Sequence, residues 1–383
     1  MSVSVMQGMN VSVMQENLAR GLQTVSRAVS ARATLPILAN VLLKTQDAGL
    51  KLTATNLEIG ITCWVAGKVE GEGEITVPAK LITDLVASLP NQRIDLQLSP
   101  KDRTLKLTCG SNRASIKGID ADEFPVVAAI GEEPATSVDG RVLREALGEV
   151  VFAAASDESR PILTGVLTRM VGDTMTLAAA DNYRIAVRTV RLNRPVQPEL
   201  SIVVPARSYA ELMRIVPDAE ASIDITVTPN KSQILFHTEG IDLVSRLIEG
   251  QFPNYEPVIP TSHTSRAVLD REAFLAGTRR ASIFARDSAN IVKIELGGDG
   301  DGAGVAITAH AADVGDNADT VEANVEGTAT TIAFNARYLM DVLSNLGAEE
   351  AALELSGPLA PGVIRGIGKD DYVHVIMPVR TAS

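Results

Sequence analysis

The sequence predicts an α+β fold built three times along one chain, with helices packed on one face of antiparallel sheet. Three observations predict it. A strand–corner–helix segment recurs at near-constant spacing, a second segment recurs in step with it, and short alternating strands outnumber helices in every copy.

The first recurring segment reads ITVPAKLITDLVASLP at 75–90, IVVPARSYAELMRIVP at 202–217 and IAFNARYLMDVLSNLG at 332–347. Each begins with a β-branched strand and turns a small polar corner into an amphipathic helix. In the first copy Leu81, Ile82, Leu85, Val86 and Leu89 fall at helical spacing. Pro78 and Pro205 sit where strand hands over to helix, where a missing N–H is tolerated. Val77 precedes Val204 by 127 residues, and Val204 precedes Phe334 by 130.

The second segment is LPILANVLL from Leu35, matched by RPILTGVLT 125 residues later from Arg160, with SANIVKIEL from Ser288 in the third place. Helical stretches at 16–30, 141–156 and 271–286 precede these segments. Strand pairs follow them, beginning at Leu52, Leu177 and Ile307. The first two copies close on DADEFPVV and EGQFPNYEPV, and the third ends the chain with YVHVIMPVR. The expected domains are therefore 1–130, 135–259 and 265–383. Small, polar, Pro-containing linkers are expected near Gly131–Ser137 and Pro260–Ser265. A smaller duplication, MSVSVMQ then MNVSVMQ, leaves two readings of residues 1–8: a disordered extension, or a chain that truly starts at Met9.

Hydrophobic residues make up 45% of the chain but aromatics only 3%, so the cores must be built from Val, Ile, Leu and Ala. No run of about 18 apolar residues suggests a membrane span, and the N-terminus lacks the form of a secretory signal. Cys63 and Cys109 are the only cysteines, which argues against a disulfide framework or zinc site and fits a reducing cytoplasm.

The motifs of catalysis are missing. His237, His263, His310 and His374 form no HExxH or other close metal pair, and there is no GxSxG or SxxK. The stretch GGDGDGAG at 297–304 offers Asp299 and Asp301 to a cation but has Ala303 at the next ligand position, so it reads as a hairpin loop. The expectation is a non-enzymatic protein with no catalytic residue, metal or cofactor.

Charge is unevenly placed. The net charge of −12 alone opposes tight nucleic-acid binding. Yet the six helical stretches, 16–32, 80–89, 141–156, 207–216, 271–286 and 337–346, carry 13 basic against 7 acidic residues. Arg141, Arg207, Arg271 and Arg337 stand near helix starts, where the helix dipole disfavours cations. A positive helical face with a negative remainder suits loose contact with a polyanion.

TLPILANVLL (34–43), TVPAK (76–80), ADEFP (121–125), RPILTGVL (160–167), AADNYRIAV (179–187), VPARSYAELMR (204–214), SRLIEGQFPNYEPVIP (245–260), FNARYLMDVL (334–343) and VIMPVR (375–380) together resemble the bacterial DNA polymerase III sliding clamp, its β processivity subunit, over residues 9–383. The resemblance implies a DNA-clamp fold, with helices lining a ring and sheets outside. It implies a head-to-tail homodimer that encircles double-stranded DNA without reading its sequence. It also implies a short-peptide site for the polymerase III catalytic subunit, the clamp loader and repair proteins, in a cytoplasmic, nucleoid-associated setting.

Under the resemblance the DNA-facing candidates are Arg20, Arg27, Arg32, Lys80, Arg141, Arg144, Arg207, Arg214, Arg279, Arg280 and Arg337, with Arg32 and Lys80 foremost. The peptide pocket would take Leu163, Asn182, Tyr183, Arg184, Ile185, Pro253, Val258, Asn335, Tyr338, Val375, Ile376, Met377, Pro378, Val379 and Arg380. Apolar residues would make its groove, a methionine would adapt to several ligands, and Arg and Asn would fix polar groups. For Leu163 and Ile185 a plain core role fits the sequence equally well. The subunit contact would take Arg113, Ala114 and Ile116 on an edge strand, with Ile283 and Phe284 on a helix. Two departures from the family pattern stand out: Asn182 replaces a Gly or Ser, and Thr381–Ser383 extend past Arg380. The competing reading is a repeat-built peptide-binding scaffold that never encircles DNA.

Overall fold

The computed structural model describes residues 8–30, 35–46, 48–99, 101–128, 135–216, 221–286, 289–297, 304–311 and 315–380. Arg32, residues 1–7, most of the 297–304 loop, residues 131–134 and Thr381–Ser383 lie outside them. Six α-helices are described: α1 (Gln15–Val25), α2 (Ala79–Ser88), α3 (Gly140–Val150), α4 (Ala206–Ile215), α5 (Arg271–Ala285) and α6 (Ala336–Asn345). The chain forms two compact units. One holds residues 1–140 and 214–247, the other residues 141–213 and 248–383, so each collects elements from two of the sequence repeats.

The first unit is built on one antiparallel sheet. Its main path runs through the strands Asn112–Lys117, Thr104–Cys109, Arg93–Ser99, Asn10–Met14, Ile59–Gly71, Ile241–Arg246, Gln233–Thr238, Ser222–Val227 and Thr136–Asp139. A branch adds Gly49–Thr55, Asn40–Gln46 and Glu74–Pro78. The alternation in these strands sends Val41, Leu43, Leu50, Leu52, Ile61 and Val77 into a core of aliphatic side chains. Helix α1 lies on that core through Leu18, Leu22 and Val25, and α2 through Ile82 and Val86. At Gly21 a Cβ would stand 2.8 Å from Val65 Cγ2 and 2.9 Å from Leu52 Cδ1. Glycine there lets α1 approach the sheet closely.

The second unit has two sheets. One orders the strands Gly165–Ala180, Arg184–Pro205, Tyr372–Ile376, Gly362–Gly366, Glu350–Leu355, Ser265–Asp270 and Ala323–Gly327. The other orders Gly315–Val321, Val305–Ala311, Ile291–Leu296 and Thr330–Asn335. The strand–proline–helix corners stand where the sequence predicts them: Pro78 and Pro205 end their strands, and α2 and α4 start at the next residue. Helices α5 and α6 are capped by side chains. Asp270 accepts from the Ala273 amide at 2.7 Å, and Asn335 from the Arg337 amide at 2.9 Å. The PIL segments are single 3₁₀ turns, Pro36–Ala39 and Pro161–Thr164, with the proline opening each turn.

Two helices are shorter than their apolar periodicity suggests. The expected 16–30 stretch is α1 followed by a 3₁₀ turn at Ser26–Ala28, and 141–156 is α3 followed by one at Val151–Ala153. No described helix is long and apolar enough to cross a membrane.

Candidate functional site

The hairpin between the strands Gly165–Ala180 and Arg184–Pro205 turns on Asp181. Its Oδ1 accepts from the Tyr183 amide at 2.7 Å and the Arg184 amide at 3.0 Å, a turn that a short carboxylate side chain closes by itself. Asp181 Oδ2 takes the Arg184 Nε–H at 3.0 Å. Arg184 Nη1 donates to Asp341 at 2.5 Å and Nη2 to the Phe152 carbonyl at 2.8 Å. The guanidinium also lies 4.5 Å from the centre of the Tyr338 ring and 5.4 Å from that of Phe152. Tyr183 and Tyr338 are near-parallel with centroids 6.0 Å apart. Tyr183 is exposed, and partial burial followed by the nearby Asp181 charge raises the Tyr338 phenol above its usual pKa.

Beside this bracket lies an apolar cluster. Leu163, Ala178, Ala180, Ile185, Val187, Val203, Phe252, Val363 and Val375 form its buried floor, and the partly buried Ile162, Tyr255, Val258 and Ile259 pack against it. The C-terminal segment runs alongside: the Met377 amide donates to the Tyr183 carbonyl at 2.7 Å and the Val379 amide to the Ala333 carbonyl at 2.8 Å. A cavity of about 310 Å³ opens beyond, lined by Lys293, Thr331, Ile332, Ala333, Pro358, Leu359, Val379 and Arg380.

The structure thus gathers the expected pocket residues into one region but gives them unequal parts. Leu163, on its 3₁₀ turn, and Ile185, Val375 and Ile376, on their strands, are buried, so they shape the floor and present little surface. Arg184 departs from the expected peptide-fixing role: its side chain is buried and each of its three nitrogens donates within the protein, to Asp181, Asp341 and the Phe152 carbonyl, so it props the tyrosines. Asn335 is likewise occupied as the α6 cap. Asn182 and Pro253 are exposed, and Asn182 accepts from Arg160 at 3.1 Å. Tyr183, Tyr338, Val258, Met377, Pro378, Val379 and Arg380 keep accessible surface. The sequence reading missed Phe152, Asp341 and Leu359. The exposure of Leu359 beside two prolines was visible only as an isolated apolar residue in a polar loop.

The basic candidates fall on helices or their ends. Arg20, Arg27, Lys80, Arg141, Arg207, Arg214, Arg279, Arg280 and Arg337 are exposed and Arg144 is half-buried. Some are partnered: Arg20 pairs with Glu16 at 3.3 Å, and Arg280 with Asp319. Arg271, counted in the charge pattern, is a structural residue. Its Nε and Nη1 donate to the Ala348 and Leu343 carbonyls, both at 2.9 Å, at the C-terminal end of α6.

Of the subunit-contact candidates, Arg113 is exposed and Ala114 half-buried on Asn112–Lys117, the terminal strand of its sheet. Ile116 is 3% exposed and faces its own core, so only its backbone is available at that edge. On α5, Ile283 is exposed and Phe284 half-buried.

Three family models cover nearly the whole chain: the DNA polymerase III beta subunit N-terminal domain at residues 9–128, its central domain at 137–254 and its C-terminal domain at 256–380. The chain belongs to the DNA polymerase III beta subunit family. It is 34% identical over 373 residues to the beta sliding clamp of Synechococcus elongatus, covering 96% of this chain and 98% of that protein. The crystal structure of the DNA polymerase sliding clamp from Bacillus subtilis matches with a TM-score of 0.92 at 27% identity, over 98% of this chain and all of that one. The DNA polymerase III subunit beta from Pseudomonas aeruginosa matches with a TM-score of 0.89 at 28% identity, over 97% of this chain and all of that one. The three-domain clamp fold is therefore that of this chain, which is a DNA sliding clamp of DNA polymerase III and a non-catalytic processivity subunit.

Proposed function

We propose that the chain closes head-to-tail with a second copy into a ring around duplex DNA, and that it tethers the replicative polymerase, the clamp loader and repair proteins through the groove beside Tyr183 and Tyr338. The observation that carries the DNA reading is the exposure of Arg141, Arg207 and Arg337 in the first turns of α3, α4 and α6. A cation in a first turn gives up about 0.3–1 kcal/mol to the helix dipole. Such residues make sense where a polyanion faces them. A topological hold needs no strong attraction, which reconciles a basic lining with a net charge of −12.

Closure can draw on two of the terminal strands among the described residues. Asn112–Lys117 ends the sheet of the first unit and Gly315–Val321 ends the four-stranded sheet of the second. An edge strand exposes unpaired N–H and C=O groups that a second edge satisfies. Exposed Ile283 supplies apolar contact for such a junction. The peptide reading rests on apolar floor, aromatic wall and backbone side by side, the usual make-up of a small binding site.

The test is loading by a clamp loader onto nicked circular DNA, followed by linearisation. A ring slides off the free ends. Retention after linearisation, or equal binding to short linear duplex, overturns encirclement.

A further inference from the structure

A second set of charges, apart from the Arg184 bracket, joins the second repeat to the third. Glu149, near the end of α3, is 1% exposed. Its Oε1 accepts from the Gly347 amide at 3.2 Å and from Lys369 Nζ at 3.3 Å, and its Oε2 pairs with Arg188 Nε at 3.1 Å. Lys369 also donates to Glu145, and Arg188 to Asp371. The packing leaves no slack: a Cβ on Gly347 would stand 2.5 Å from Lys369 Nζ and 3.1 Å from Glu149 Oε1.

Glu149 is placed to act on the peptide groove from two directions. Gly347 follows the C-terminal end of α6, and α6 carries Tyr338 and Asp341. Arg184 holds α6 at those two residues. The Gly347 amide is a further point of attachment, and two points stop a rigid helix from pivoting about one. On the other side, Phe152 follows Glu149 within one turn, in the 3₁₀ segment Val151–Ala153, and its carbonyl accepts from Arg184 at 2.8 Å. One buried carboxylate thus ties down both the helix under Tyr338 and the turn that holds the Arg184 fork.

The first repeat shows that the fold does not need this network. At the 125-residue spacing of the repeats, Thr24 stands for Glu149, Cys63 for Arg188 and Ile59 for Arg184. Strand register agrees, since Cys63 faces Ile241 as Arg188 faces Tyr372. That junction pairs its strands over five positions, as the charged one does. Bracket and network are therefore absent together. A buried ion pair adds little stability over apolar side chains of similar volume, and its best-attested use is to fix a register.

We infer that Glu149 is a positioning residue for the peptide groove: by joining Gly347, Lys369 and Arg188 it fixes α6, and with it Tyr338, against Tyr183. The inference rests on the peptide reading of that groove. Glu149 is too deeply buried to touch a ligand and acts through α6 and the Phe152 turn.

The test replaces the buried pair by apolar side chains of similar volume, Glu149→Leu with Arg188→Met, in the full chain. The urea midpoint is expected to stay near the wild-type value, because both charges leave together. Two readouts then report position rather than stability. Spin labels on Asn182→Cys and Ser344→Cys, both exposed, measure the distance from the hairpin to α6; the native Cys63 and Cys109 are buried and take no label. A narrow distance distribution is expected with the network intact and a broader one without it. A fluorescein-labelled, amidated Ser-Leu-Ser-Leu-Phe peptide, whose two leucines share one face of an extended strand, measures affinity. Its affinity is expected to fall about fivefold in the double variant. Gly347→Ala keeps every charge but pushes Lys369 aside, and should move both readouts the same way; it carries the test if the double variant fails to fold. The inference needs both changes, and either readout unmoved in a variant that melts cooperatively overturns it while leaving the groove standing. A wild-type chain with no saturable peptide binding overturns the groove, and the positioning role with it.

Discussion

Replacing Arg184 by alanine should both loosen the second unit and blunt the peptide groove. The side chain is 9% exposed and its Asp181 partner 15%. A charged hydrogen bond of that kind contributes about 1.5–3 kcal/mol, and stranding the Phe152 carbonyl costs about 1–3 more. Asp341 is 45% exposed, so water replaces most of what Arg184 gives it and its loss adds no more than about 1 kcal/mol. The ring contact with Tyr338 adds about 0.5–1 kcal/mol. These overlap, because one guanidinium makes all of them, and a net loss of about 3–5 kcal/mol is expected. With a urea slope of about 1–3 kcal/mol per molar, the midpoint for the second unit should fall by about 1–5 M. Below the transition, Tyr338 loses its prop, and affinity for a fluorescein-labelled apolar peptide that binds beside Tyr183 should fall about tenfold, or about 1.4 kcal/mol. Arg184→Lys keeps the charge but not the fork, and should sit between the two. If Arg184→Ala shifts the urea midpoint and peptide affinity stays at the wild-type value, the tyrosine bracket is not part of the binding site. If neither moves, the network has been misjudged.

Three further outcomes are expected. His374 is fully buried among Phe152, Tyr372 and Arg184, and burial, aided by the Arg184 charge, holds its pKa down to about 3. The unfolded chain takes up that proton near pH 6.5 and the folded chain does not, so stability is intact above pH 6.5 and drains as pH falls towards 3. The loss is about 4 kcal/mol across the window, and a flat urea midpoint between pH 7 and 5, or the same slope in His374→Gln, contradicts it. Ile283→Asp should convert dimer to monomer in sedimentation velocity without lowering the melting temperature by more than a few degrees. An unchanged dimer would remove α5 from the junction. Arg141→Glu with Arg207→Glu and Arg337→Glu should shorten residence on circular DNA at low salt, with the difference from wild type shrinking as salt rises; equal residence would place those helices away from DNA.

The groove was readable from the sequence as a set of residues but not as a division of labour. The apolar positions Leu163, Ile185, Val375 and Ile376 come from the family resemblance, which does not say which are floor and which are wall. Arg184 reads as a ligand-facing cation under the family resemblance alone. Its engagement depends on Asp341, 157 positions away, and on the Phe152 carbonyl, neither of which leaves a local mark. Ile116 was legible as part of an edge strand, but its inward direction depends on the pleat of the folded sheet. Arg271 shows the same limit in reverse: a basic residue at a helix start looked misplaced until the C-terminal carbonyls of α6 were brought to it.

The sequence by itself determined the threefold repeat, the strand–proline–helix corners, the positions of the six helices and the family, because all of these are written in spacing and local preference. Tertiary structure decided how the repeats are shared out. The strands Ile241–Arg246 and Tyr372–Ile376 each join the sheet of the preceding repeat, so the compact units cut across the repeat boundaries. It also seated Val127 against Gly60, 67 residues away in the chain, where a missing side chain in one strand leaves room for a side chain from another segment.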